Sequence, residues 1–530
     1  MDPNNAGGFA WKVDDWTLLH RFLVLGTEGG TYYVGEQKLT KDACDATMRC
    51  VKADGVRVVE VVTDISHSGR APKNDYALFA LAMCAGAGDA ATRKAALKAL
   101  PKVARIGTHL FNFTNYVEQF RGWGRGLREA VADWYNSKDP GRLAYQMIKY
   151  QQRDGWSHYD MLRLSHPNPN DAVSVPDTLS AEAVEYISPH GALYAWVTEK
   201  AKAEHWERMP ALIGAFEEAK KATTAKEIIP LIQEHNLPRE CVPTGLLSDK
   251  GVWSALLERM PMTAMIRNLG NMSKVGLLVQ GNFDVVNKVC SQITNQEVLG
   301  KARIHPLSVL NALNIYSKGH GFRGSGTWDV VGDVVDALDQ AFYLAFGNVT
   351  PSNKRILIGL DVSGSMSMGN ISGIPSMTPR MGGCAMSMIT YRTEPKVAVM
   401  AFSGGFIPVN VSRYRRLDDL ISYTDGLPFD RTDCSLPVKW ALEQYARNSS
   451  VVYDAFLVYT DSETWYGDIH PKQALDKYRR EVNSEAKMVI VAMQGNDISI
   501  ADPTDPGMLD VVGFDTATPE AISQFVRGDI

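Results

Sequence analysis

Residues 355–365 read RILIGLDVSGS, an unbroken apolar run that stops at Asp361 and turns through Ser363, Gly364 and Ser365. Such a run, with no polar alternation, predicts a strand buried on both faces, as in a parallel sheet covered by helices. Three more runs share this texture: KVAVMAF at 396–402, AFLVY at 455–459 and KMVIVAM at 487–493. Turns and amphipathic segments separate them, so residues 351–530 are expected to form a doubly wound α/β domain. Ligands of such sheets bind beyond the carboxyl ends of strands, near the switch in strand order. Asp361 stands at one such end and Thr460-Asp461 at another. A carboxylate and two hydroxyls at alternate positions of a turning loop can point at one centre, and hard oxygens with few charges suit Mg2+. The alternative is a metal-free fold in which Asp361 and Asp461 only cap or turn the chain.

Asp-x-Ser-x-Ser after a buried strand resembles the metal-ion-dependent adhesion site of von Willebrand A domains. The resemblance implies a divalent cation, Mg2+, held by Asp361, Ser363 and Ser365. Thr432 from a second loop and Asp461 from a third match the other ligands by order and context. It also implies an open coordination position for an acidic group of a protein partner. One departure stands beside the Thr, where Asp430-Arg431 replaces the Gly-Gly often found there.

Upstream the texture changes. A cluster of turn residues, GNVTPSN at 347–353, marks the boundary between regions 1–350 and 351–530. A chain of 530 residues is too long for one ordinary core, which fits two packed units. From Trp11 to Leu344 amphipathic segments alternate with short Gly, Pro and Asn breaks. Leu127, Ala130, Val131 and Trp134 form one apolar helical stripe. A second helix is expected over Gly141–Arg153, with Leu143, Ala144, Met147 and Ile148 on one side. Arg142, Gln146, Lys149 and Arg153 fall on the opposite side, which puts Lys149 and Arg153 one turn apart. Many such pairs suggest an α-solenoid, and an irregular multi-helix domain is the alternative.

The chain carries a net charge of −5, yet between Arg93 and Arg163 there are 13 Lys/Arg against 6 Asp/Glu. That segregation predicts one face for a polyanion on an otherwise acidic body, or else a solvated basic surface. Seven scattered cysteines without a CxxC pair argue against a disulfide framework or zinc-cysteine site and are read as small core residues. No apolar run is long enough to span a bilayer and the N-terminus lacks signal-peptide character, so a cytoplasmic protein without membrane contact is expected. Neither HExxH, P-loop nor GxSxG occurs, and GFRGSG at 321–326 is an unspecific glycine-rich turn, so no enzyme is expected.

Several stretches resemble the Ro autoantigen family: LHRFLVLGTEGGTYYVGEQKL from Leu19, GRGLREAVADWYN from Gly124, KYQQRDGWSH from Lys149, LRLSH from Leu162, ARIHP from Ala302 and TDCSLP from Thr432. The resemblance spans nearly the whole chain and extends to the bacterial Ro-like proteins. It implies a TROVE module of HEAT-like helical repeats closed into a ring, bridged by a von Willebrand A-like domain. It further implies Y RNA-like small structured RNAs on the outer surface and single-stranded 3′ ends of misfolded RNAs in a central hole. The implied role is RNA quality control by a monomer, cytoplasmic and, in a eukaryote, also nuclear, with a nuclease or other protein docking on the A-like domain.

On this resemblance Lys149, Arg153 and His166 match positions of Y RNA contact. Arg125, Arg128 and Arg142 extend the same basic track. His158, like any lone His, is read first as structural, the alternative being an imidazole that stacks on a base or bonds to the RNA backbone. Trp123 and Trp156 interleave with the cations as candidates for base stacking, whereas Trp134 belongs to the apolar stripe. Lys301, Arg303, His305, Lys318, His320 and Arg323 form another basic group, read either as lining the hole or as solvated surface. A magnesium-dependent protein-adhesion scaffold is the competing function. It predicts cation-dependent protein binding and no co-purifying RNA, where RNA binding predicts the RNA and a steep salt dependence.

Overall fold

The computed structural model describes residues 2–3, 9–26, 44–173, 187–321, 326–347, 349–369, 371, 377–410, 416–428, 431–462, 464, 467–494 and 498–529. Arg323, Asp430 and parts of the 19–39 and 321–326 stretches lie outside these residues. The strands are β1 (Asp2–Pro3), β2 (Phe9–Lys12), β3 (Gln152–Arg153), β4 (Trp156–Ser157), β5 (Arg355–Asp361), β6 (Lys396–Phe402), β7 (Phe406–Pro408), β8 (Ala455–Thr460), β9 (Lys487–Ala492), β10 (Ile498–Ser499) and β11 (Met508–Val512). Six of them form one sheet in the order β11-β9-β8-β5-β6-β7, parallel except for the β7 edge. The four apolar runs of the sequence are its inner strands, and both faces are buried. Ile356, Ile358 and Leu360 point into one core cluster, while Leu357 on the other face joins Met400, Phe402 and Val438. The strand order reverses between β5 and β8, which sets Asp361 and Asp461 at adjacent strand ends.

Between Asp15 and Leu344 helices follow one another as packed neighbours. Asp45–Ser68 lies against Asp75–Ala87 and Ala90–Val103, the last of these against Arg125–Asn136, and that helix against His158–Ser165. The run continues through Ala211–Ala219, Ala225–His235, Lys250–Leu257 and Met262–Lys274 to Pro306–Ser317 and Gly332–Leu344. Side-chain caps set several starts. Asp89 accepts from Thr92 N at 2.7 Å, and Ser157 with Asp160 closes a capping box. Six of the seven cysteines are buried free thiols, as the scattered spacing suggested. Among the described residues no helix is long and apolar enough to cross a membrane.

The two ends of the helical run meet, and the sheet lies against the joint. His305 caps Pro306–Ser317 by accepting Leu307 N on Nδ1, which leaves Nε2–H to donate to Phe514 O at 2.9 Å and Arg70 O at 3.1 Å. Burial holds this imidazole neutral, pushing its pKa down to about 4. It is therefore neither a hole-lining cation nor solvated surface, the two readings given to its basic group. Asp515, beside it, takes hydrogen bonds from Arg70 Nε at 2.9 Å and His20 Nε2 at 2.8 Å. Arg21, with no exposed surface, spans from the first helix to Ile498 O at 2.8 Å and Asp510. β2 pairs antiparallel with β10, so the first strands of the chain join the α/β domain. At the other end Arg392 lies 3.6 Å over the Tyr343 ring and the same distance from Asp339.

Candidate functional site

Asp361, the last residue of β5, is buried, and its carboxylate is already organised by its neighbours. Oδ1 accepts Ser363 N at 2.8 Å and Oδ2 accepts the Thr460 hydroxyl at 2.6 Å. The Ser363 and Ser365 hydroxyls stand 3.2 Å apart in the turn that follows. Asp461 and Thr432 are equally buried. The Thr432 loop reaches the same strand ends, since Asp433 N donates to Ser403 O at 3.1 Å and Cys434 Sγ lies 3.9 Å from Thr460 Oγ1. Burial, and then the charge of Asp461, push the Asp361 carboxyl up to about 7. The same burial and the two carboxylates push the Cys434 thiol well above its ordinary value. Two buried carboxylates that repel each other, flanked by three hydroxyls, form a hard-oxygen set that a divalent cation would relieve.

Two partners of this site escaped the sequence reading. Arg380, only 3% exposed, donates from Nη2 to Val362 O at 2.7 Å and Ser363 O at 3.2 Å, pinning the turn from beneath. The available signal was an Arg in the first turn of a helix, PRMGGCAMSMITYRT, that carries no other charge until Arg392 in its last turn. Asp433 holds Ser435 and Lys439, and Gly467 at φ +120° lies so close that a methyl group there would stand 2.8 Å from the carboxylate. Only glycine fits that approach and that dihedral.

The expected RNA face is partly rearranged. The helix predicted over Gly141–Arg153 stops at Lys149, and Arg153 sits on a two-strand hairpin of β3 and β4. Asp154-Gly155 takes positive φ at both residues, a hairpin turn that no helix can contain. Lys149 and Arg153 therefore do not share a helical face. Gln146 is not on a solvent face either, since its Oε1 accepts Gly107 N at 2.9 Å. Lys149 is half-buried, with Nζ 3.0 Å from Tyr145 OH and near the Tyr150 ring. Burial opposes its charge, and the Tyr145 hydrogen bond together with the charges of Tyr145, Tyr150 and Glu240 outweighs that, so its pKa is raised.

Arg142, Arg153 and His166 are exposed, and His166 ends the helix His158–Ser165 in the left-handed region. Arg125 and Arg128 share the helix Arg125–Asn136, where Arg125 pairs with Glu129 at 2.7 Å. His158 is structural as expected. It is buried, bonded to Tyr135 OH at 2.7 Å, packed edge-on to Phe111, and pushed down to about 4 by burial. Trp134 is core, and Trp123 and Trp156 lie 6.0 Å apart, half-buried. In the second basic group Lys301 pairs with Glu297, while Arg303 is exposed on the rim of a cavity.

Arg303 borders a cavity of about 660 Å³ that sequence reasoning missed as a unit. Its lining comes from the C-terminus of Asp45–Ser68, the turn after Ala90–Val103, the helix Met262–Lys274 and the helix Pro306–Ser317. Four cations face it, Lys73, Arg105, Arg267 and Arg303, against one carboxylate, Asp75, which accepts from Asn112. Among the described residues none of the four has an acidic partner within ion-pair distance. His109, also on the wall, is held neutral at about 3 by burial and then by the Arg105 charge. The cavity is thus a cationic hollow inside a chain of net negative charge.

Residues 2–354 match the family model described as the TROVE domain, and residues 355–526 the one described as the Ro60 vWA domain. The RNA-binding protein RO60 of Deinococcus radiodurans is 41% identical over 530 residues, covering 99% of this chain and 95% of that protein. The RNA-binding protein RO60 of Caenorhabditis elegans is 35% identical, covering 99% and 90%. The crystal structure of the Deinococcus radiodurans RO (RSR) protein superposes with a TM-score of 0.71 at 39% identity, over 98% of this chain and 100% of that one.

Proposed function

The chain belongs to the Ro60 family, and from that premise we propose that it is an RNA-binding protein acting in RNA quality control. The observation that carries the reading is the cavity where the ends of the helical run meet, with one carboxylate and four cations that have no acidic partner among the described residues. A single strand entering it would release its counterions to solvent as Lys73, Arg105, Arg267 and Arg303 neutralise its phosphates, an attraction independent of base sequence. Its charge suits the single-stranded 3′ end of a misfolded RNA. A small structured RNA of the Y type would lie on the outer face, on Arg125, Arg128, Arg142, Lys149, Arg153 and His166. These contacts fix register and not base identity. Sequencing the RNA that co-purifies with the native protein tests the substrate class. Small structured RNAs and transcripts with extended 3′ ends are expected, and RNA-free protein at low salt would refute the reading.

Replacing Lys149 and Arg153 together by Ala should weaken binding of structured small RNA and make the salt slope shallower by about two phosphate contacts. A gel-shift titration at several salt concentrations measures both. Because Arg153 is on the hairpin, the two substitutions disturb different elements and each can be scored alone.

The α/β domain would hold Mg2+ through Asp361, Ser363, Ser365, Thr432 and Asp461, and a bound cation supplies a coordination position for a carboxylate of a protein partner such as a nuclease. Met368, 43% exposed two residues beyond the Ser365-Met366 turn, offers an apolar contact beside it and favours this docking role. Calorimetric titration of the full chain with Mg2+ or Mn2+ should give binding heat that Asp361→Ala abolishes. Equal heats for the two proteins would remove the cation from this site.

A further inference from the structure

The two ends of the helical run meet along one edge of the cavity, and two of its cations face each other across that seam. Arg105, in the turn after Ala90–Val103, donates from Nη1 to Ser66 O at 2.6 Å and to its hydroxyl at 2.8 Å. Arg303, just before Pro306–Ser317, is held at φ +50°. Its Nη2 stands 3.5 Å from His67 Nδ1, and its side chain packs on Gly69, where an added methyl group would lie 3.1 Å from Arg303 Cβ. Burial, and then the charge of Arg303, lower the Arg105 pKa to about 10. The nearby acids are occupied, since Asp64 and Asp515 both pair with Arg70. Like charges therefore oppose each other across a seam that the His305–Arg70 hydrogen bond also closes.

We propose that a phosphate group sits between Arg105 and Arg303 and staples the two ends of the helical run, so that the strand occupying the cavity also closes it. This rests on the reading that RNA enters the cavity, and adds to it a coupling between occupancy and closure. A phosphate accepts hydrogen bonds from both guanidinium groups and converts a repulsive pair into a bridged one. By linkage, whatever binds the closed seam better than the open one must shift the equilibrium toward closure. The phosphate comes either from the nucleotide backbone or from free inorganic phosphate.

Hydrogen–deuterium exchange of the full chain, followed over segments 62–72 and 299–308, tests this with a short oligouridylate in one arm and inorganic phosphate at equal ionic strength in the other. The oligonucleotide is expected to slow exchange in both segments at least about fivefold, the low end of ordinary coupling between sites. Slowing by inorganic phosphate alone would assign the staple to a free anion, and slowing only by the oligonucleotide would assign it to the backbone. Arg303→Lys should keep the effect. Arg303→Gln should start from slower exchange, the repulsion being gone, and bind the oligonucleotide more weakly; at a concentration raised until anisotropy shows saturation it should show no further slowing. Bound oligonucleotide with unchanged exchange at the seam, or full slowing in Arg303→Gln, would overturn the staple and leave the cavity reading standing. An oligonucleotide that fails to bind would overturn both.

Discussion

Asp515→Ala should destabilise the joint between the helical run and the α/β domain by about 3–5 kcal/mol, the usual result of removing one partner from a buried ion pair. The carboxylate is almost wholly covered and accepts from Arg70, His20 and Ala517 N, so its loss strands a guanidinium whose remaining acid, Asp64, is exposed. Urea unfolding of the full chain should show a lower midpoint, and the two regions should unfold in separate steps where the parent protein unfolds in one. A single transition at the parent's midpoint would show that the joint contributes nothing.

The same pair predicts an acid response. Burial opposes the Asp515 charge, but hydrogen bonds from His20 and Arg70 outweigh it and hold the carboxyl far below the ordinary value of 3.8. A depressed folded pKa gives stability that is complete above the unfolded value and lost as pH falls from there toward the folded one. Below the ordinary carboxylate range the parent should therefore lose this contribution. Asp515→Ala has none to lose and should titrate more flatly there.

The second large effect is on RNA. Replacing Arg105 and Arg267 by Gln should weaken a single-stranded RNA by about a hundredfold, since a hydrogen bond to a charged group contributes roughly 1.5–3 kcal/mol. Both side chains face the cavity and neither meets an acid among the described residues, but Arg105 also donates to Ser66, so the stability of the variant is measured beside its binding. Fluorescence anisotropy with a 3′-tailed RNA measures it. An unchanged affinity would mean that the strand does not enter the hollow.

The convergence of Asp361, Ser363, Ser365 and Asp461 was largely legible because it is local. Asp361, Ser363 and Ser365 lie in one turn, and Asp461 follows another buried run, so strand texture and residue type were enough. Arg380 was not legible, because its role depends on backbone carbonyls of a turn 17 and 18 residues away in sequence. The error at Arg153 had an available remedy. The dipeptide Asp154-Gly155 is a strong hairpin signal, and the helical periodicity of Gly141–Lys149 overran it.

The cavity is a different case. Lys73, Arg105, Arg267 and Arg303 are far apart in the chain, and each looks like any surface cation until the run closes on itself. His305 shows the converse. It stands among basic residues in sequence, yet it is a neutral buried connector between Arg70 and Phe514.

The central claim is that RNA occupies the cationic hollow. Photocrosslinking the native protein to an RNA with 4-thiouridine in its single-stranded 3′ tail, followed by mass spectrometry of the joined peptides, tests it most directly. Crosslinks are expected on the segments around Lys73, Arg105, Arg267 and Trp328, which line the hollow. Crosslinks confined to the outer face around Arg125, Arg142 and Arg153 would contradict it.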